Sequence, residues 1–466
     1  MAKAAKGFLL HSDSGGEYYY NDETGFIVPG ILRNEAVLHG ERPVPPSTIS
    51  GRDIRDYLIG AKAGFKELIL EMTQGCNLRC KYCCYGDHYA LHRPHGSGLM
   101  DWNTAKQAID MYFGYFECIA SGQPFANPTI GFYGGEPLLN FSLLKEVVAY
   151  TEKYQESMGP VEYTMTTNGL LLDEDSIDFL IQHNFSIIIS LDGNKENHDR
   201  NRVTVQGMPT FDRVFERIRY IQTRYPEYHK FGISSCFDCR TDLMAFNSFV
   251  EDNHLFVINL SEVDRTNSTY HEQFSTDEET RFFRDYHNLK MRFREKVIAG
   301  EFSQHDRNLM LPLFANSYLL AACHTLGDMN RPSFLPYSGS CVPGQKIYVT
   351  LDGKLHMCEK TNPAFPIGDV ENGLDFDRIA ELLECFNQSL GRCRECGFTK
   401  LCSLCIGKAN DGKTMGPPPG FCAQEKAGLQ RVLSDYLSIV EANPAGFDRF
   451  IFPYLVLRRS LWNCLF

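Results

Sequence analysis

The run Leu68-Ile-Leu-Glu-Met-Thr73-Gln-Gly-Cys76-Asn-Leu-Arg-Cys80-Lys-Tyr82-Cys83 decides how the rest of the chain is read. An apolar, strand-type run ends at Thr73 and hands over to a loop with cysteines at 76, 80 and 83. The spacing is C-x3-C-x2-C, with the aromatic Tyr82 just before the last cysteine. Thiolates this close can wrap one face of a [4Fe–4S] cube. A fourth ligand would close the cube for electron transfer alone. With three, one iron stays open to an exogenous ligand. Zinc normally pairs C-x2-C with a second C-x2-C or a histidine pair. Here the next cysteine, Cys84, is adjacent to Cys83 and is poorly placed to reach the same ion.

Downstream, strand-type and helix-type runs alternate. Strands are expected at Leu68–Thr73, Thr129–Tyr133, Glu162–Thr166, Ser186–Leu191, Phe231–Ser235 and Leu255–Leu260. Helices are expected over 102–121, 140–158, 174–184, 211–224, 241–253 and 274–299, with Asp101 and Asp173 as N-caps. Repeated βα units imply a parallel sheet whose chemistry sits at the strand C-termini. The predicted fold class is α/β: a partial (β/α)6 TIM-like barrel, with a small N-terminal α+β region and a C-terminal Cys-rich iron–sulfur domain. Boundaries are drawn at 1–65, 66–310, 311–430 and, for a C-terminal helix and tail, 431–466. Candidate linkers are Arg42–Ser47 and Gly416–Gly420.

Length and composition agree. The 466 residues, 43% apolar and 22% charged, suit a globular chain of about three structural units. A net charge of −12 disfavours nucleic acid or an anionic membrane surface as partner. No apolar run reaches the length of a membrane span, and the N-terminus lacks a signal-peptide core. The 17 cysteines, odd in number and locally clustered, do not form a secreted disulfide framework. A reducing cytoplasm with metal or redox chemistry is the expected setting.

The cysteine loop resembles the signature of the radical S-adenosylmethionine (SAM) superfamily. Gly134-Gly135-Glu136-Pro137, after the second strand, is similar to that family's glycine-rich motif. The resemblance implies that this segment binds the methionine amino group of SAM. Thr167 and Asn168 end the third strand, and Ser190 and Asp192 the fourth, in the family's ribose- and carboxylate-binding neighbourhood. Arg200 and Arg202 follow, where the family often carries an arginine for the SAM carboxylate.

Eight further cysteines lie between 341 and 422. Their pattern resembles the SPASM extension of peptide- and protein-modifying radical SAM enzymes. One gap is shorter: Ser403-Leu404 stands where three residues are usual. The resemblance implies two auxiliary [4Fe–4S] clusters. Cys393, Cys396, Cys402 and Cys422 would hold the outer one, and Cys341, Cys358 and Cys405 the inner one. Its fourth ligand would be Cys323, Cys385 or the substrate itself. A pair of zinc ribbons is the alternative for C-x2-C-x5-C-x2-C. Cys84, Cys118 and Cys464 read as packing residues, and Cys236-x2-Cys239 as a candidate redox pair.

Glu359, directly after Cys358, is a candidate catalytic base; the alternative is a solvated charge beside Lys360. The N-terminal stretch Glu17–Pro29 reads as a hairpin, with a short helix over 49–63. It weakly resembles a leader-peptide recognition domain; otherwise it closes the barrel bottom. The expected function is radical modification of a ribosomally made precursor peptide, first of all thioether crosslinking at cysteine. Carbon–carbon crosslinking, epimerisation or side-chain oxidation, as in sulfatase maturation, is second. Expected cofactors are SAM and three [4Fe–4S] clusters. Expected partners are the peptide with its leader and an external donor such as flavodoxin or ferredoxin. A plain iron–sulfur electron carrier is the non-enzyme reading.

Overall fold

The computed structural model describes residues 6–34, 46, 48–60, 64–118, 127–324, 332–337 and 339–447. The linker at 42–47, residue 46 apart, lies outside these residues, as do Cys464 and the apolar run 450–457.

Strands β1 (Gly7–His11), β2 (Glu17–Asn21) and β3 (Ile27–Pro29) form an antiparallel sheet of their own. The expected hairpin is β2–β3, and β1 joins on the other side of β2. This sheet packs on the Cys-rich region and not on the barrel bottom. Phe8 stacks on Phe398 with ring centroids 3.9 Å apart. The buried Asp22 carboxylate accepts hydrogen bonds from Thr399 N–H and Lys400 N–H, each at 3.0 Å. Helix α1 (Gly51–Ile59) begins with a capping box, Ser50 and Asp53 each bonding the other's backbone N–H.

The barrel follows in the predicted order: β4 (Glu67–Thr73), α2 (Trp102–Glu117), β5 (Thr129–Gly134), α3 (Phe141–Met158), β6 (Glu162–Thr167), α4 (Glu174–Gln182), β7 (Ser186–Ser190), α5 (Lys195–Asn201), α6 (Phe211–Arg224), β8 (Phe231–Phe237), α7 (Leu243–Asp252) and β9 (Val257–Glu262). Asp101 and Asp173 cap α2 and α4, accepting from the backbone N–H groups of Thr104 and Ser176. The short helix α5 was not expected. It carries Arg200 and ends at Arg202, its C-cap, near the fourth strand end. Helices α8 (Thr276–Ala299) and α9 (Gln304–Ala322) lead to β10 (Lys346–Val349), β11 (Lys354–His356), β12 (Gly368–Asp369) and β13 (Gly373–Leu374). Helices α10 (Phe376–Ser389) and α11 (Phe421–Ala442) complete the described chain.

Strands β4 to β9 lie side by side in sequence order and all run parallel. All seven residues of β4 are buried, as expected for a strand covered on both faces. The sheet also runs on beyond residue 311. β10 pairs parallel with β4, and β11 to β13 extend it antiparallel into one ten-stranded sheet. The junction is polar as well as hydrogen-bonded through the backbone. Lys346 on β10 meets the buried Glu67 of β4 at 3.1 Å, and Thr164 Oγ1 donates to the same carboxylate at 3.0 Å. The region after 311 thus shares the barrel's sheet, which carries its residues to the mouth of the barrel.

Candidate functional site

The C-terminal ends of the parallel strands surround a cavity of about 930 Å³. That is at the upper end of the range for small-molecule sites, with room for a cofactor and a substrate segment. Cys76, Cys80, Tyr82 and Cys83 form one wall. Burial pushes the Cys76 and Cys80 thiols up to about 12, and the charges of neighbouring cysteines in the loop add to the shift. Thiols this hard to ionise in a dry site become ligands when a metal takes the proton's place.

Backbone contacts weld this loop to the end of β5. Gly135 N–H donates to Thr73 O at 2.8 Å and Glu136 N–H to Gly75 O at 2.9 Å. Glycine is required here. Gly134 has φ +125°, and a Cβ on Gly135 would lie 1.9 Å from Gly75 O. Both glycines line the cavity; Glu136 and Pro137 do not. The fully buried Glu136 carboxylate instead ties strand ends together. It accepts from Thr167 Oγ1 and Asn168 N–H, each at 2.7 Å, and from Leu138 N–H at 3.2 Å. Burial pushes it up to about 7 against the pull of those bonds. Three of its acceptor positions are thus taken up within the protein, and the glycines and the strand-end residues line the cavity. Asn168 Nδ2 donates to Asn77 Oδ1 at 2.8 Å and lies 3.6 Å from Cys76 Sγ. That contact fixes the first cysteine against the third strand end.

At the fourth strand end the structure separates the two arginines. Arg202 lines the cavity, its Nε 3.0 Å from Asp192 Oδ2. Tyr82 donates its hydroxyl to the same carboxylate oxygen, and Cys236 N–H donates to the other at 3.0 Å. Asp192 is thus a buried anchor behind the wall, holding Tyr82 and Arg202 in place. Arg200 points elsewhere. Its Nη1 pairs with Asp238 at 2.7 Å and its Nη2 donates to Thr241 Oγ1 at 3.0 Å, outside the cavity. Thr167, Asn168 and Ser190 line the cavity.

A buried histidine supports the anchor. His198 Nδ1 accepts from Asp192 N–H at 3.3 Å, so its proton sits on Nε2, 3.0 Å from Thr210 Oγ1. Burial lowers the imidazole to about 4. A depressed histidine leaves stability intact above its unfolded value of about 6.5 and erodes it as pH falls toward 4. Between pH 7 and pH 5 this one group is expected to cost roughly 2 kcal/mol. Chemical denaturation at both pH values checks it: His198→Gln should lose less stability over this interval than the wild type.

Glu359 also lines the cavity, with Lys346 and Lys360 beside it, facing the cysteine loop from the Cys-rich side. The later cysteines lie on the Cys-rich side. Burial raises the Cys393 and Cys402 thiols, and the charges of neighbouring cysteines, Cys396 and Cys422 for Cys393 and Cys393 and Cys396 for Cys402, add smaller contributions. Cys358 and Cys405 both reach Gly407, each Sγ 3.7 Å from where its Cβ would be. Cys341 is exposed and near Lys346. Cys323 caps α9, and Cys385 is exposed on α10. Among the described residues no three His, Cys, Asp or Glu side chains converge on a single-ion site.

Cys236, half of the candidate redox pair, lines the cavity near Cys80 at the end of β8, and burial raises its thiol to about 12. Sequence reasoning missed part of the wall: Glu262, which ends β9, Val263 to Thr266 just after it, and Lys408 from the Cys-rich region complete the rim. The strand-end rule could have flagged the stretch after β9; nothing local marks Lys408.

Residues 70–233 match the radical SAM superfamily. The chain is 31% identical over 163 residues to the cysteine-type anaerobic sulfatase-maturating enzyme of Clostridium novyi, 35% of this chain and 41% of that one. It is 26% identical over 177 residues to the serine-type anaerobic sulfatase-maturating enzyme of Bacteroides thetaiotaomicron, 38% of this chain and 41% of that one. The chain thus spans about two fifths of the length of these curated relatives. The solved structure described as native anSMEcpe with bound AdoMet and Kp18Cys peptide has the same fold, with a TM-score of 0.59 at 19% identity. That match covers 81% of this chain and 99% of the other.

Proposed function

We propose that this chain, which carries a radical SAM domain, modifies a peptide by abstracting hydrogen from it. The observation that carries the reading is the single cavity uniting the three-cysteine loop, the Gly134–Gly135 cradle, Arg202 and Glu359. The donor set fits the cofactors. Cys76, Cys80 and Cys83 would hold a [4Fe–4S] cluster, with the glycines and strand-end polar groups cradling SAM. Bound there, the reduced cluster and SAM supply a 5′-deoxyadenosyl radical able to take hydrogen from an unactivated C–H bond. Arg202, held by Asp192, would pair with the SAM carboxylate. Glu359, which lines the same cavity, would take a proton from a substrate thiol. The two later cysteine groups would hold auxiliary clusters. An external one-electron donor completes the system, and a cytoplasmic setting suits the free cysteines.

The substrate proposed is a precursor peptide with a leader segment, and the first bond proposed is a cysteine thioether. A second reading, oxidation of a single side chain, is favoured by the names of the sulfatase-maturating relatives. Reconstituted enzyme with SAM, reductant and candidate peptide separates the two. A thioether product is two hydrogens lighter, its cysteine no longer reacts with thiol reagents, and its proteolytic halves stay joined. A product lighter by two hydrogens with every cysteine still reactive would sink the thioether. Glu359→Gln should leave 5′-deoxyadenosine formation in place and slow peptide product by about 10²-fold, the scale of a lost general base. Equal loss of both would remove Glu359 from the proton-transfer role.

A further inference from the structure

The turn after Cys358 wraps hydrogen-bond donors around one sulfur. Thr361 N–H donates to Cys358 O at 3.2 Å and closes the turn. Within it the Lys360 backbone N–H donates to the Cys358 sulfur. Thr361 Oγ1 lies 3.5 Å from the same Sγ. The amide contact recurs along the chain: Leu78 N–H donates to Cys76 Sγ at 3.4 Å, and Leu404 N–H to the Cys402 sulfur. The hydroxyl is an addition at Cys358. Thr361 is 8% exposed, and Cys358 Sγ is the one partner of its hydroxyl among the described residues. A thiol is a weak acceptor, so a buried hydroxyl gains little from it; a thiolate is a strong one. A second thiol faces the same point. A Cβ on Gly407 would lie 3.5 Å from Thr361 Oγ1 and 3.7 Å from the Sγ atoms of both Cys358 and Cys405. Glu359 and Lys360, between Cys358 and Thr361, line the cavity, so this cluster of groups stands one residue behind the cavity wall.

We propose that the Thr361 hydroxyl raises the reduction potential of the inner auxiliary site, which fits that site to take the electron given up by the substrate radical. The inference rests on the reading that Cys341, Cys358 and Cys405 hold an auxiliary cluster. A thiolate only accepts, so the hydroxyl is the donor once Cys358 is a ligand. Hydrogen bonds to ligand sulfur and net charge set the potential of such a site. The reduced site carries one more negative charge than the oxidised one, so the bond from Thr361 is stronger after reduction and favours it. The substrate radical loses one electron and the site gains it; no bond to Thr361 is made or broken. Thr361 is a positioning residue, acting through Cys358 on a site it does not ligate.

The test is a redox titration of reconstituted holoenzyme followed by electron paramagnetic resonance. The first cluster is recognised by the change in its signal on adding SAM, and the inner one by its loss in Cys405→Ala. Thr361→Val keeps the side chain's shape and removes the hydroxyl. At a fixed potential it should raise the oxidised-to-reduced ratio of the inner site by up to about tenfold, which is about 59 mV for one electron. The other couples should stay in place. Thr361→Ser keeps the hydroxyl and should restore the wild-type potential. Both variants should hold the wild-type iron content, about twelve per chain. An unshifted inner couple in Thr361→Val overturns the proposal while leaving the cluster reading intact. So does an equal shift in Thr361→Ser, or a loss of about four irons in both variants, either of which would make Thr361 a packing residue. A wild type with about four irons and a single couple means the auxiliary-cluster reading has failed, and the proposal falls with it.

Discussion

Cys80→Ala is expected to remove about four of about twelve irons from the reconstituted protein and to abolish SAM cleavage. Cys76→Ala and Cys83→Ala should do the same. All three thiols come from one loop and line the cavity at the spacing of the ligand motif, which the neighbouring Cys84, His95 and Cys236 do not reproduce. Cys236→Ala is the informative contrast. Cys236 lines the same cavity and interacts with Cys80, yet it comes from β8 and not from the loop. It should keep its full iron content and the charge-transfer absorption of the first cluster. Iron analysis and electron paramagnetic resonance of the reduced proteins read both outcomes. Full iron in Cys80→Ala, or loss of about four irons in Cys236→Ala, would reassign the ligand set.

The second large effect is expected from one methyl group. In Gly135→Ala the new Cβ would stand 1.9 Å from Gly75 O, 2.5 Å from Gly75 C and 3.1 Å from Cys76 N. All three atoms are backbone, so no side chain can swing away and the loop itself must shift. The hydrogen bond from Glu136 N–H to Gly75 O, 2.9 Å, is lost with that shift. Overpacking of this kind costs about 1–3 kcal/mol of stability. The functional cost should be larger. Displacing the ligand loop by about 1 Å against the SAM cradle can lower turnover by about 10²-fold. Gly428→Ala is the control: it lies within α11 with open space around it, and alanine there should be neutral or slightly stabilising. Thermal unfolding, SAM binding by equilibrium dialysis and 5′-deoxyadenosine formation separate the two. Wild-type SAM binding in Gly135→Ala would show that the loop and β5 are not rigidly joined.

Much of the site was legible because its signals are short-range. C-x3-C-x2-C works within one loop, and a helix cap works within one turn, so Asp101 and Asp173 could be read directly. The glycine pair was legible by position, since it follows a strand in a βα unit. The role of Glu136 was not. Its partners Thr167 and Asn168 come from the end of the next strand, and only their three-dimensional placement makes Glu136 a strand-end clamp. Arg200 and Arg202 are two residues apart on similar sequence. Asp192 and Asp238, on different strand ends, decide which one faces the cavity.

By itself the sequence determined the repeating βα units, the parallel sheet they form, and the loop that gathers three thiols. Each depends on periodicity or spacing within a few residues, which local sterics and burial enforce. Only the tertiary structure decided what meets at the barrel mouth. β10 pairs with β4 across more than 270 residues of chain, bringing Lys346 and, beyond it, Glu359 to the cavity. Parallel pairing aligns strand C-termini wherever their residues fall in sequence. Such convergence is a property of the whole sheet and leaves no local mark on the residues it brings together.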